Sequence, residues 1–208
     1  MKLACADFTW PLLPHDRVLK MIGLLDIEAV DLALFGNRSH IRPEVVRQDI
    51  PLWCGIITER LAQSQLELAD FFVTPWTDFE TMAVNHPDPK QQEESAAFFH
   101  DMLAVARCIG ARGMTVLPGI RVGDEPWEAS IRRSAEGLKW RVDAAAKAGL
   151  QLSVEGHLGS NVDTPEKLAR LVELTPGLTL TLDYGHFVFQ GIPDAEIEPL
   201  LNHARHFH

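Results

Sequence analysis

Short apolar runs alternate with longer segments of helical periodicity from one end of the chain to the other, and this confines it to a parallel α/β fold. Residues 2–9 (KLACADFT), Ile27–Leu34, Leu66–Val73, Gly113–Leu117, Leu150–Glu155, Leu178–Asp183 and Arg205–His208 read as strands. Helical spacing occupies Pro14–Leu25, Pro43–Gln63, Gln91–Ile109, Glu125–Ala148, Glu166–Leu174 and Ala195–His203, with Pro51 marking a bend or a new start. Gly110 and Gly149 stand where helices end, and Thr164-Pro165 supplies a capping threonine and a first-turn proline. No G-x-G-x-x-G turn follows any strand, which favours a (β/α) barrel over an open dinucleotide-binding sheet.

Barrels of the (β/α)8 type usually take about 250 residues. With 208 residues and seven strand candidates, the expectation is one barrel domain over residues 1–208, C-terminally truncated, with strands 1 to 7 present and the eighth βα unit missing. An open seven-stranded sheet would leave unpaired edges. The chain is therefore expected to be a fragment or the ordered part of a longer protein.

Charge and cysteine usage narrow the function. A net charge of −10 repels a phosphate backbone, so nucleic acid is an unfavoured partner. Cys5, Cys54 and Cys108 are odd in number and lack C-x-x-C spacing, so they read as reduced, mostly core residues. No apolar run approaches the ~18 residues of a membrane span, and Met1–Trp10 lacks the pattern of a signal peptide, so a cytoplasmic location is expected. The segment 74–89, with three prolines and several aromatic and acidic residues, reads as a loop over a site.

In such barrels the chemistry sits at the carboxyl ends of the strands. One strand ends LSVEGH at Glu155, the next ends LTLDYGH at Asp183 with His186 three residues on, and the last run is RHFH. A carboxylate terminating an apolar strand is costly to bury unless paired or coordinated, and these two strands are neighbours in a barrel. Five of the nine histidines follow residue 150. Carboxylates with imidazole and no thiolate suit Mn²⁺, Mg²⁺, Co²⁺ or Zn²⁺. His206 and His208 alternate on a strand, share a face with Phe207 opposite, and either could be the ligand.

Other candidates carry a plainer alternative. Trp10 and Trp76 could wall a polyol site or simply pack. His40 could reach substrate from the end of strand two or lie in solvent, and His157 could touch substrate or orient a ligand. His15, His86 and His100 carry no assignment. Asp124, Glu125 and Glu128 sit where a helix dipole favours acids.

The motifs VEGH, LDYGH and HFH resemble the xylose isomerase-like barrel superfamily of sugar phosphate isomerases and epimerases, which also holds endonuclease IV. The order of elements matches over essentially the whole chain. The resemblance implies Glu155, Asp183 and His208 as metal ligands, choosing His208 over His206, with His186 touching substrate. It further implies Glu155 as one half of an acid/base pair whose other half, a strand-eight glutamate, this chain lacks. The expected activity is a divalent-metal isomerase or epimerase acting on a small ketose, polyol or keto acid, by proton abstraction beside a metal-polarised carbonyl. A dehydratase of the same superfamily, acting on an inosose or dehydroshikimate-like ring, and a non-catalytic barrel that binds sugar are the alternatives. An endonuclease is disfavoured by the charge and by too few metal ligands, and the family's habit of packing barrel on barrel implies a homodimer.

Overall fold

The computed structural model describes residues 2–208, and Met1 lies outside the described residues. Seven parallel strands form one sheet in sequential order: β1 (Ala4–Ala6), β2 (Ala29–Phe35), β3 (Glu67–Thr74), β4 (Gly113–Val116), β5 (Gln151–Glu155), β6 (Thr179–Leu182) and β7 (Ala204–Phe207). Each strand pairs in parallel with its sequence neighbour, so every connection is a helical crossover, as in a barrel. The sheet curls without closing, and β1 and β7 are its two edges among the described residues.

The crossovers carry α1 (His15–Leu24), α2 (Pro43–Val46), α3 (Ile50–Ser64), α4 (Pro89–Cys108), α5 (Trp127–Lys147), α6 (Pro165–Leu174), α7 (Tyr184–Phe189) and α8 (Asp194–Ile197). Pro51 opens α3 in its first turn, so the expected interruption is a new start. Gly110 and Gly149, at φ +73° and +79°, follow the last residues of α4 and α5 in the left-handed conformation that ends helices.

Three local expectations are corrected. The Thr164 hydroxyl makes no capping hydrogen bond, so Pro165 in the first turn marks the start of α6. The first strand stops at Ala6, because Thr9 Oγ1 donates to the Ala6 carbonyl at 2.8 Å and draws Asp7–Thr9 into a 3₁₀ turn. The sixth strand stops at Leu182, where Asp183 accepts from the Gly185 amide at 2.7 Å and caps α7, a helix the strand-end reading did not include.

The main core lies between the sheet and the helices. On α5 the buried Ile131, Ala135, Leu138, Val142 and Ala145 recur at steps of four and three, one helical face. They join the same cluster as Met114, Leu152, Val154, Leu180 and Leu182, which point outward from the sheet. The opposite, inner face is polar: Asp31, Asp70, Thr115, Ser153, Glu155 and Thr181 are all buried. In β5 and β6 the period-two alternation thus sends Ser153 and Glu155, and Thr179 and Thr181, inward. Of the cysteines, Cys54 is buried, Cys5 half-buried and Cys108 exposed; none is paired, and Cys108 departs from the expected core position.

Two irregularities bend this inner face. At the β6–β7 pairing Leu180 faces Ala204 while Thr181 faces His206, leaving Arg205 as an extra residue. A bulge of this kind turns two consecutive side chains to one side. Arg205 and His206 both enter the barrel, Arg205 donating to Asp70 and to Ser153 Oγ (2.8 Å), His206 reaching Asp31 (3.2 Å). A similar shift lies between Val30 and Asp31 on the β2–β3 ladder, where Ala69 is passed over.

Candidate active site

Glu155 ends β5 with its side chain only 4% exposed. Oε2 lies 2.5 Å from His208 Nδ1 and Oε1 lies 3.5 Å from His186 Nε2. The same His186 nitrogen is 3.5 Å from Asp183 Oδ2, so His186 stands between the two strand-end carboxylates. Burial by itself would raise the Glu155 carboxyl, but the bonds to His186 and His208 outweigh it and hold the group below its ordinary range. His186 is raised chiefly by its bond to Glu155. Burial works to lower His208, and the bond to Glu155 reverses that and leaves it raised. The cluster therefore rests with Glu155 as a carboxylate flanked by imidazoles.

His157 lies on the other flank. Its Nδ1 donates to the Leu158 carbonyl at 2.6 Å, which leaves Nε2 as the nitrogen able to accept or ligate. Its ring centroid lies 4.0 Å from that of His186, the two planes tilted by 58°, and it meets the edge of Phe79 at 4.9 Å, so the 74–89 loop does reach the site. Ligand atoms of Glu155, His157 and His186 lie within 4.8 Å of one another, close enough to share one ion.

Residues 27–208 match the family model described as xylose isomerase-like TIM barrel. The chain belongs to that family. An inosose dehydratase of Bacillus cereus is 27% identical over 172 residues, 77% of this chain and 54% of the relative, so the chain spans about half the length of that protein. Among solved structures, a D-psicose 3-epimerase crystallised with D-fructose superposes with a TM-score of 0.80 at 14% identity, over all of this chain and 72% of that one. The IolI protein with a bound zinc atom gives 0.70 at 17% identity, over 94% and 67%. At such identities the structures establish the fold, an incomplete barrel of the xylose isomerase-like type.

Within this family barrel, the sequence-predicted residues fall into two groups. Glu155, Asp183, His186, His157 and His208 converge at the ends of β5, β6 and β7. Trp10 instead packs on the cluster of Val18, Leu19, Ile22, Val30 and Leu66 beside α1. His40 sits with its ring 5.8 Å from His15, and its Nε2 is buried without a hydrogen bond. His15, which carried no assignment, is itself buried: it pairs with Asp7 (3.2 Å), whose Oδ1 accepts from the Ala33 amide. Trp76 lines a small cavity of about 40 Å³ with Phe79 and Met82.

Sequence reasoning missed the polar inner face. Asp31 in VDLAL and Asp70 in LADFFV are carboxylates set inside apolar runs, and a buried charge must find a partner; that was the available signal. It also missed the clamp on the loops above the site. The Asn85 side chain donates to the Ile120 carbonyl (2.7 Å) and accepts from its amide (2.8 Å), tying the 74–89 loop to the segment after β4. Gly119, at φ +122°, is required there, since a Cβ would come within 2.4 Å of Asn85 Oδ1. The run Asp124–Glu128 does more than face a helix dipole: Glu125 is held by both terminal nitrogens of Arg133, each at 2.6 Å.

Proposed function

We propose that this chain carries the metal-binding and proton-abstracting face of an isomerase or epimerase acting on a small ketose, polyol or keto acid. The observation that supports this best is a buried, ionised strand-end carboxylate, Glu155, gathered with Asp183, His186 and His208. Two carboxylates and an imidazole suit Mn²⁺, Mg²⁺, Co²⁺ or Zn²⁺, and Glu155, Asp183 and His208 would hold the ion once Asp183 turns in from His186, since as they stand the three do not all lie within 4.8 Å of one another. When bound, such an ion would polarise a carbonyl and its neighbouring hydroxyl and so acidify the C–H of the carbon that bears the hydroxyl. Glu155 is the general base: it is ionised, and its partners orient it. His186 and His157 face the same space and supply hydrogen bonds to substrate hydroxyls.

A dehydratase is the second reading, favoured by the sequence match to the Bacillus cereus inosose dehydratase. The first proton abstraction would be the same, followed by loss of water from the adjacent carbon.

The test is metal content after purification, measured for the parent and for Glu155→Gln, Asp183→Asn, His208→Ala and His157→Ala at equal folding, with deuterium exchange on ketoses and ring ketones. At least one equivalent of metal fewer than the parent in each of the first three variants, and the parent's full content in the fourth, is expected, as is exchange in the parent that Glu155→Gln abolishes. A metal-free parent, or metal retained by Asp183→Asn and lost by His157→Ala, overturns the assignment.

A further inference from the structure

One cluster of ligating atoms lies deeper in the barrel than the strand-end carboxylates. Asp31 on β2 and His206 on β7 approach to 3.2 Å across the inner face, and ligand atoms of Asp31, His206 and His208 all lie within 4.8 Å of one another. Asp31 is only 9% exposed, and both Asp31 Oδ1 and His206 Nε2 are buried without a hydrogen bond. The two atoms face each other at 3.2 Å without hydrogen-bond geometry between them, a separation that two ligands of one ion bonded at about 2.0–2.1 Å also take. The β7 bulge produces this arrangement, turning His206 inward directly after Arg205.

The space beside the cluster is also suited to a ligand. A cavity of about 1140 Å³ reaches Asp31, His206 and Arg205 from the amino-terminal ends of the strands, the side opposite Glu155 and Asp183. An ion there would have three protein ligands and an open position toward the cavity. His208 has two ring nitrogens, and only Nδ1 is engaged by Glu155. The Phe72 ring stacks on His208 at 5.7 Å and limits its reorientation.

We infer that Asp31, His206 and His208 form a second divalent-metal site, distinct from the strand-end site, open to the amino-terminal cavity and selective for Zn²⁺ or Co²⁺. One carboxylate and two imidazoles with a vacant fourth position is the donor set that zinc takes in catalytic centres, and it disfavours the all-oxygen preference of Mg²⁺. The two sites share only His208, so a metal ion in each would be linked through its imidazolate, the ring N–H proton being released to solvent as the second ion binds.

The test is titration of the chelator-treated 208-residue chain with Zn²⁺ and, separately, with Co²⁺, reading stoichiometry by calorimetry and Co²⁺ geometry from the visible spectrum. Two equivalents are expected in the parent, one in Asp31→Asn, one in His206→Gln and one in Asp183→Asn, with the Co²⁺ absorption lost from the first two variants unlike that lost from the third. Melting of each metal-free variant beside the parent establishes that the stoichiometry is read on folded protein. Two equivalents retained in both Asp31→Asn and His206→Gln overturn the inference. So does a single equivalent lost only in Asp183→Asn, or lost in all three variants, which would mean one composite site. A single equivalent lost in Asp31→Asn and His206→Gln but kept in Asp183→Asn supports this site and sinks the strand-end ligand assignment instead.

Discussion

The ion pair inside the barrel offers a sharp test of how β7 is held. The Asp70 side chain is fully buried; it accepts from Arg205 Nη2 and from Thr115 Oγ1 at 2.6 Å. Arg205 also donates to Ser153 Oγ, so one guanidinium ties the β7 edge to β3 and β5. Replacing Asp70 by Asn removes the charge that two donors address. At about 1.5–3 kcal/mol for each hydrogen bond to a charged group, the structure predicts a loss of roughly 3–6 kcal/mol. That agrees with about 3–5 kcal/mol for breaking a buried ion pair and stranding its partner. For a domain of this size each kcal/mol moves the melting temperature by about 2–4 °C, so a fall of roughly 6–24 °C is expected.

Arg205→Met should cost a similar amount, while Asp70→Leu combined with Arg205→Met should cost less than either single change. The apolar pair leaves no charge stranded, and Thr115 keeps Thr181 Oγ1 at 2.6 Å as a partner. Urea melts of the three variants measure this cycle directly. An Asp70→Asn variant within 1 kcal/mol of the parent, on the scale of an exposed pair, would refute the reasoning. Strict additivity would do so too, since it would mean that Asp70 and Arg205 do not act on each other.

Further outcomes can be checked with simple assays. Asn85→Asp should destabilise more than Asn85→Ala, because it removes the donor to Ile120 and buries a charge as well; the Ala variant should lose about 2 kcal/mol in thermal melts. The Arg133 bond, chiefly, lowers the Glu125 carboxyl to about 2 from an ordinary 4.5, so its contribution is complete above pH 4.5 and fades as pH falls toward 2. Glu125→Gln should remove about 1–2 kcal/mol at pH 7, after allowance for its partial exposure, and converge with the parent near pH 2. Burial pushes the Cys54 thiol up to about 12, so iodoacetamide on the native chain should label the exposed Cys108 and spare Cys54, and mass spectrometry of peptides reads the difference.

Which parts of this molecule could be read from its sequence follows from which features are local. The seven strands and their order were legible, because period-two and period-3.6 patterns are set by residues near each other in the chain. The helix ends at Gly110 and Gly149 were legible for the same reason. Asp183 was read as a strand end, yet it also caps α7, a role shown only when its side chain turns back to the Gly185 amide. The convergence of Glu155, Asp183, His186 and His208 was legible because parallel neighbours end at one level, a property of the architecture.

The polar inner face was not, because it depends on bulges. Strict alternation along β7 sends Arg205 and His206 to opposite sides of the sheet, so only one of them could enter the barrel. One extra residue opposite Leu180 and Thr181 turns Arg205 in, and with it comes the partner that lets Asp70 lie buried as a charge. The shift at Val30/Asp31 similarly sets Asp31 opposite Asp70 rather than Ala69. No short pattern in ARHFH or LELADFFV announces a bulge, but the buried carboxylates demand partners, and only a register change can bring a cation into the barrel at their level. Lone acids inside apolar strands are thus a sequence signal for irregular pairing. In this chain the same irregularity that satisfies Asp70 also places His206 against Asp31, so the ion pair and the proposed second metal site depend on one bulge.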